Sequence, residues 1–225
     1  MRIGMVGLGR MGLNMARRLM QHDIDVVGYN RSADAVETLI EEGGTGVHSL
    51  AEVVENLEPP RTVWCMLPAG EATRSTIEAL ADLLSPGDTI IEGGNSYYKD
   101  DIRHGEFLAE KDIQYLDAGV SGGIWGLEIG YCTMVGGPTD AFRRLEPIFK
   151  ALAPKEGYLH CGPVGSGHFI KMIHNGIEYG MMQAYAEGFA LIEDSDFGEN
   201  IDFAELSHLW NQGSVIRSWL LELAG

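Results

Sequence analysis

Short apolar runs alternate with longer stretches of helical spacing from the first residue to Cys161. Residues 2–6 are mostly apolar and end at Gly7-Leu8-Gly9, and residues 10–21 follow with Met11, Met15 and Leu19 on one helical face. Residues 25–29 are apolar again. Strand, glycine turn, helix, strand is a βαβ unit, because parallel strands need a long crossover and a helix usually supplies it. Helices are predicted over 33–42 and, past a turn at Gly43-Gly44, over 51–56. A strand over 61–67, a helix over 71–84 and a strand over 89–92 come next. A helix over 100–111 and a strand over 114–120 precede a last strand, helix and strand over 131–135, 142–152 and 158–161. This order predicts an α/β fold with a doubly wound, mainly parallel sheet covered by helices on both faces.

The texture changes after Pro163. Residues 165–193 hold no proline and no strand pattern, only Phe169, Ile173, Ile177 and Met181 at four-residue intervals. One helix is predicted there, far longer than the usual 11–12 residues or so. Residues 203–210 and 215–223 read as two further helices. The boundary is placed at 162–165, giving an α/β domain over 1–164 and an all-helical C-terminal region over 165–225 with a long first helix. About sixty helical residues bury little surface alone. The region is therefore expected to pack on a second copy, as a homodimer or homotetramer, and reads as incomplete.

Composition narrows the function. With 45% hydrophobic and 22% charged residues the chain is globular. No apolar run approaches the roughly 20 residues that cross a bilayer. Met1-Arg2 passes straight into Ile3-Gly4-Met5-Val6 with no signal-peptide pattern. Cys65, Cys132 and Cys161 lie far apart without a CxxC pair, which argues against a disulfide scaffold or structural zinc. A cytoplasmic protein is expected. Sixteen Lys and Arg against 33 Asp and Glu give a net charge of −17, so neither nucleic acid nor a membrane is an expected partner. So acidic a surface, with Arg outnumbering Lys, would suit a high-salt interior, where screening weakens self-repulsion. An anionic ligand must then be held by local positive groups.

Gly7-Leu8-Gly9-Arg10-Met11-Gly12 is a GxGxxG in the context that gives it meaning, after a strand and opening a helix. Gly7 permits the tight turn, Gly9 lets backbone approach a pyrophosphate, and Gly12 lets helix and strand pack closely. The helix N-terminus supplies N–H groups and the positive end of its dipole. A Rossmann-type, dinucleotide-binding first domain follows. The second strand ends in Tyr29-Asn30-Arg31-Ser32, not in the Asp or Glu that binds a ribose 2′-hydroxyl. A guanidinium and a hydroxyl there can donate to a 2′-phosphate. NADP is the expected cofactor, with NAD possible.

Lys171, His174, Asn175 and Glu178 stand at i, i+3, i+4 and i+7, along one face of the long helix. Gly176 and Gly180 weaken a helix unless something approaches closely. Two polar-glycine clusters follow strands, Glu92-Gly93-Gly94-Asn95-Ser96 and Val120-Ser121-Gly122-Gly123. In open α/β sheets ligands bind beyond the carboxyl ends of strands. Amide, hydroxyl and bare backbone N–H groups there suit a polyhydroxylated anion, and no metal site is expected.

GLGRMG, the turn from Met66 to Gly70, GGNS, VSGG and GHFIKMIHNGIEYG, in this order, resemble the decarboxylating 6-phosphogluconate dehydrogenases, most of all their short-chain branch. The resemblance is specific from Met1 to about Asp194 and looser beyond. It implies oxidation of 6-phosphogluconate, a phosphorylated sugar acid, to ribulose 5-phosphate and CO2, a reaction of the pentose phosphate pathway and gluconate utilisation. It implies Lys171 as general base and Glu178 as general acid. Substrate contacts carry over to Asn95, Ser121, Gly122, Gly123, His174, Asn175 and Tyr179. Cofactor contacts carry over to Gly7, Leu8, Gly9, Arg10, Met11 and Gly12, to Asn30, Arg31 and Ser32, to Met66, Leu67, Pro68, Ala69 and Gly70, and to Asn95. Pro68 stands where NADP-using relatives often carry Lys. The family's later basic residues, which hold the substrate phosphate, find no match, so the chain resembles a C-terminally shortened member. Two other readings stay open: a β-hydroxyacid dehydrogenase of the 3-hydroxyisobutyrate type, and a noncatalytic dinucleotide-binding scaffold.

Overall fold

A computed structural model describes all 225 residues. The chain divides into two compact units, Met1–Lys171 and Met172–Gly225.

In the first unit, β1 (Arg2–Val6), α1 (Arg10–Met20) and β2 (Asp25–Tyr29) form the opening βαβ unit. α2 (Ala33–Glu41), β3 (Thr45–Val47), α3 (Leu50–Glu55), β4 (Thr62–Cys65), α4 (Glu71–Leu83), β5 (Thr89–Glu92) and α5 (Tyr98–Ala109) continue the alternation. β6 (Gln114–Ser121), α6 (Gly126–Ile129), β7 (Cys132–Gly136), α7 (Thr139–Leu152) and β8 (Tyr158–Gly162) complete it. The eight strands lie in the order β3-β2-β1-β4-β5-β6-β7-β8. Every neighbouring pair is parallel except β6 and β7. This is the doubly wound, mainly parallel Rossmann-type sheet, and the strand order reverses direction between β1 and β4.

Both faces of the sheet are buried, which is why its strands read as continuous apolar runs instead of alternating ones. Successive side chains go to opposite faces. Trp64, Ile91 and Leu116 join Ile3, Met5, Leu19 and Phe149 in one core. Their neighbours Cys65, Ile90 and Tyr115 join Val6, Val27, Ile77 and Leu80 in the other.

α8 (Ser166–Glu193) is the long helix, 28 residues without a break. α9 (Phe203–Trp210) and α10 (Trp219–Ala224) follow it. In the second unit Phe189 stacks on Trp210, centroids 5.5 Å apart, and meets Phe203 edge-on at 5.7 Å. Full burial is reached there only by Ser207 and Leu221, while Ile177, Tyr179, Leu191 and Phe197 are exposed. A unit this small has little interior to offer.

Three elements differ from the pattern-based expectation. β3 pairs with β2 at the sheet edge but has three residues, too few for a period to show in sequence. A 3-10 turn over Gly123–Trp125 and the short α6 follow the VSGG motif, where no helix is predicted. The expected helix over 215–223 is shorter. Ser218 caps α10 by accepting from Leu221 N–H, and Ser218 N–H is itself held by Asn211 Oδ1 at 3.0 Å. Tyr185 donates its hydroxyl to the Ile216 carbonyl at 2.6 Å, which holds the turn before the cap out of the helix.

Candidate active site

Strand register places Tyr29, Val6, Cys65, Glu92 and Asp117 in one row across the sheet. The segments that follow them line its carboxyl edge: the glycine turn, Asn30–Ser32, Met66–Gly70, the GGNS turn and the end of β6. The sequence-predicted site residues of the first unit thus line one edge of the sheet, from β2 across the strand-order reversal to β6, the edge where ligands bind in open α/β sheets.

Gly7 has φ 96°. A Cβ there would collide with the Met66 carbonyl, and one at Gly12 with the Gly7 carbonyl. Gly9, at the N-cap of α1, has nothing within 4 Å of where a Cβ would stand. No side chain caps α1, and its first turn carries no acidic residue. Space for a phosphate above uncapped helix N–H groups is what a dinucleotide needs, so these residues fit the cofactor. Asn30 has a further task. Its Oδ1 accepts from Leu8 N–H at 3.0 Å and its Nδ2 donates to Ser32 Oγ at 2.9 Å, tying the glycine turn to the end of β2. Arg31 and Ser32 are exposed. Thr73 donates its hydroxyl to the Pro68 carbonyl at 2.9 Å and so orders the Met66–Gly70 turn. Asn95 and Gly123 are exposed, and Ser121 and Gly122 half-buried.

α8 begins with no acidic residue of its own in the first turn. β6 supplies one. Asp117 Oδ1 accepts from Gly165 N–H at 2.6 Å and Oδ2 from His168 N–H at 2.8 Å, so a strand carboxylate caps the helix and pairs with its dipole. Gly119 lets the helix approach: a Cβ there would collide with the Lys171 side chain. Lys171 is 8% exposed. Further along α8, His174 and Asn175 are half-buried, Tyr179 is exposed, and Glu178 Oε2 lies 3.7 Å from His174 Nδ1.

A buried cluster lies at the same edge. His168 Nδ1 is 2.8 Å from Asp101 Oδ2 and 3.6 Å from Glu92 Oε2. Tyr115 donates its hydroxyl to Asp101 Oδ1 at 2.9 Å, and Glu92 Oε1 accepts from Gly94 N–H at 2.8 Å. All are buried. Burial opposes charge on His168, but the hydrogen bond to Asp101 and the charges of Asp101, Glu92 and Asp117 outweigh it and push it up to about 9. Burial raises Glu92 to about 6, against the pull of His168. Glu92, Asp101 and His168 offer three atoms close enough for a cation, which the sequence did not suggest. A cation held there would have to displace the His168–Asp101 contact.

Because His168 is held above its unfolded pKa of about 6.5, its contribution to stability is complete below that value and is lost as pH rises through about 9. Urea unfolding is expected to give a free energy lower by up to about 3 kcal/mol at pH 10 than at pH 7. A His168→Gln variant should show a smaller drop. Equal drops in both would remove His168 as the cause.

Glu92 and His168 stand inside motifs whose pattern points to no role for either, and Asp101 and Asp117 fall in none. The available signal was an acid closing an otherwise apolar strand, as in Ile90-Ile91-Glu92 and Tyr115-Leu116-Asp117.

Two family models match the chain, the NAD binding domain of 6-phosphogluconate dehydrogenase over residues 2–162 and the C-terminal domain of 6-phosphogluconate dehydrogenase over residues 167–225. A Bacillus subtilis protein provisionally named 6-phosphogluconate dehydrogenase is 47% identical over 223 residues, which are 99% of this chain and 74% of that protein. The NAD(+)-dependent, decarboxylating 6-phosphogluconate dehydrogenase of Haloferax volcanii is 41% identical over 99% of this chain and 73% of its own length. Among solved structures, Plasmodium falciparum 6-phosphogluconate dehydrogenase superposes with TM-score 0.90 at 32% identity, over 99% of this chain and 50% of that one. Mycobacterium tuberculosis 3-hydroxyisobutyrate dehydrogenase gives 0.84 at 26% identity, over 97% and 72%. The chain thus spans about three quarters of the two bacterial and archaeal relatives and half of the Plasmodium enzyme.

Proposed function

The chain belongs to the 6-phosphogluconate dehydrogenase family and carries its NAD(P)-binding domain, and from that premise we propose that it oxidises and decarboxylates 6-phosphogluconate to ribulose 5-phosphate. The observation that carries the reading is Lys171. The residue is only 8% exposed and packs the base of its side chain on Gly119, two residues before Ser121, toward the strand edge where a ligand would lie. Bound NAD(P) supplies the acceptor for the hydride leaving C3. Lys171 Nζ takes the proton of the C3 hydroxyl, which requires the neutral amine. The ammonium so formed polarises the C3 ketone, which accepts the electrons released with CO2. Glu178 then protonates C1 of the enediol. Asn95, Ser121, Gly122, Gly123, His174, Asn175 and Tyr179 hold the sugar acid.

Substrate choice tests this reading. NADP reduction with 6-phosphogluconate should exceed that with 3-hydroxyisobutyrate in kcat/KM; the reverse order would favour the hydroxyacid reading, which the Mycobacterium neighbour's fold also fits. Glu178 separates the two, because simple hydride transfer leaves no enediol to protonate.

NADP is the proposed cofactor on account of Arg31 and Ser32. Charged hydrogen bonds contribute about 1.5–3 kcal/mol, so Arg31→Ala should lower kcat/KM for NADP roughly 10- to 100-fold and leave NAD nearly unchanged. Equal loss with both cofactors would take Arg31 out of 2′-phosphate binding. A second copy is the proposed partner, covering the exposed apolar residues of the helical unit.

A further inference from the structure

We propose that Glu92 and His168 act as paired positioning residues, a buried carboxylate–imidazolium link that sets the Asn95 turn and the Lys171 turn of α8 relative to each other. The inference rests on the functional reading above, and it concerns residues that reading leaves unused.

Each end of the link is anchored in a different part of the site. One Glu92 oxygen accepts from Gly94 N–H at 2.8 Å, adjacent to Asn95. The other has no hydrogen bond inside the protein and faces His168 Nδ1 at 3.6 Å, a charge contact. That nitrogen's hydrogen bond goes to Asp101. His168 stands three residues before Lys171, one helical turn, so both project from one face of α8. A Cβ at Gly94 would collide with nothing softer than the Leu67 carbonyl and Glu92 Oε1, so the turn is seated directly on the carboxylate.

Packing alone does not call for these groups. Glu92 is 0% exposed and closes a strand whose other members are apolar or Thr. Burying an ion pair is weak support for a fold, since apolar residues of similar volume often serve as well or better. His168 Nε2 is buried without a hydrogen bond inside the protein. Asp117 already caps α8, so holding the helix end does not require His168 either.

The charges around the imidazole fit the role. Asp101 on α5 and Glu92 on β5 face it directly, and Asp117 on β6 lies behind its backbone. Tyr115 on β6 donates to Asp101, and His104 on α5 is kept below its ordinary pKa, first by burial. With Glu92 ionised above about 6 and His168 charged below about 9, the link holds through the neutral range.

The test is a double-mutant cycle on the full chain with Glu92→Gln, His168→Gln and the pair, which keep shape and remove charge. Each single variant should lower kcat with 6-phosphogluconate about 10- to 100-fold, as expected for a misplacement on the order of 1 Å. The pair should lose no more than the worse single variant, because both act as one unit. Losses that multiply, or a single variant within twofold of the parent, would overturn the proposal. A parent that turns over no sugar acid defeats the functional reading instead, and the link is then judged by NMR of isotope-labelled histidine. His168 should be protonated at pH 8 in the parent, held first by Asp101, and should titrate at a lower pH in Glu92→Gln. An unchanged titration, or a stoichiometric bound metal in the purified protein, would overturn the link itself.

Discussion

Lys171→Met is expected to bind NADP as the parent does and to lose turnover with 6-phosphogluconate by about 10²–10⁴-fold, the range that a general acid–base group contributes. Met keeps much of the buried stem that packs over Gly119 and removes only the amine. The helix end should stay in place, because Asp117 caps it through the Gly165 and His168 N–H groups and not through Lys171. A loss confined to kcat, with the cofactor's dissociation constant within about threefold, places the amine in the chemical step. Near-parental turnover would remove Lys171 from the role of base, and the proposed mechanism with it.

The largest effect on stability is expected from His168→Leu. Removing one partner of a buried ion pair typically costs about 3–5 kcal/mol, because the remaining charge has no compensation. Here two carboxylates, Asp101 and Glu92, are left facing an apolar side chain. The deficit should shrink toward acid pH. Glu92 already titrates near 6, and once protonated it has no charge left to compensate. Denaturant unfolding at pH 8 and pH 5 measures this. A deficit under about 1 kcal/mol at pH 8, or one independent of pH, would show that the cluster is not held by charge.

Much of the first unit was legible because its signals are local. The opening strand, the glycine turn and α1 follow one another within twenty residues, and each confirms the others. Both faces of the sheet are covered, so its strands announce themselves as apolar runs, as Arg2–Val6 and Thr62–Cys65 do. α8 was visible from spacing alone. What escaped depends on distance along the chain. Asp117 meets Gly165 and His168 across 48 and 51 residues, and no pattern near residue 165 reveals that its helix cap lies on β6. The same holds for His168 and Asp101, 67 residues apart. Residues 215–223 failed for another reason. Their apolar spacing suits a helix, but Ser218 caps only the last turns and Tyr185 takes the Ile216 carbonyl. Local pattern gave way to tertiary hydrogen bonds.

The candidate site divides along the same line. Residues that would touch a ligand stand in motifs at strand ends, where exposed glycine and amide groups mark them. Residues that hold those motifs in place are buried, far apart in sequence, and of types that pass for ordinary helix or strand members. Asn30 belongs to both groups, since its amide ties Leu8 to Ser32 at the very edge where the cofactor would lie.

The most direct measurement follows two products at once. Purified full chain is given NADP and 6-phosphogluconate labelled at C1, and NADPH formation is read beside released labelled CO2. An amine and a carboxylic acid acting in sequence on one sugar acid should yield the two in equal amounts, with ribulose 5-phosphate left behind. NADPH formed without CO2, or formed from 3-hydroxyisobutyrate and not from 6-phosphogluconate, would contradict the account.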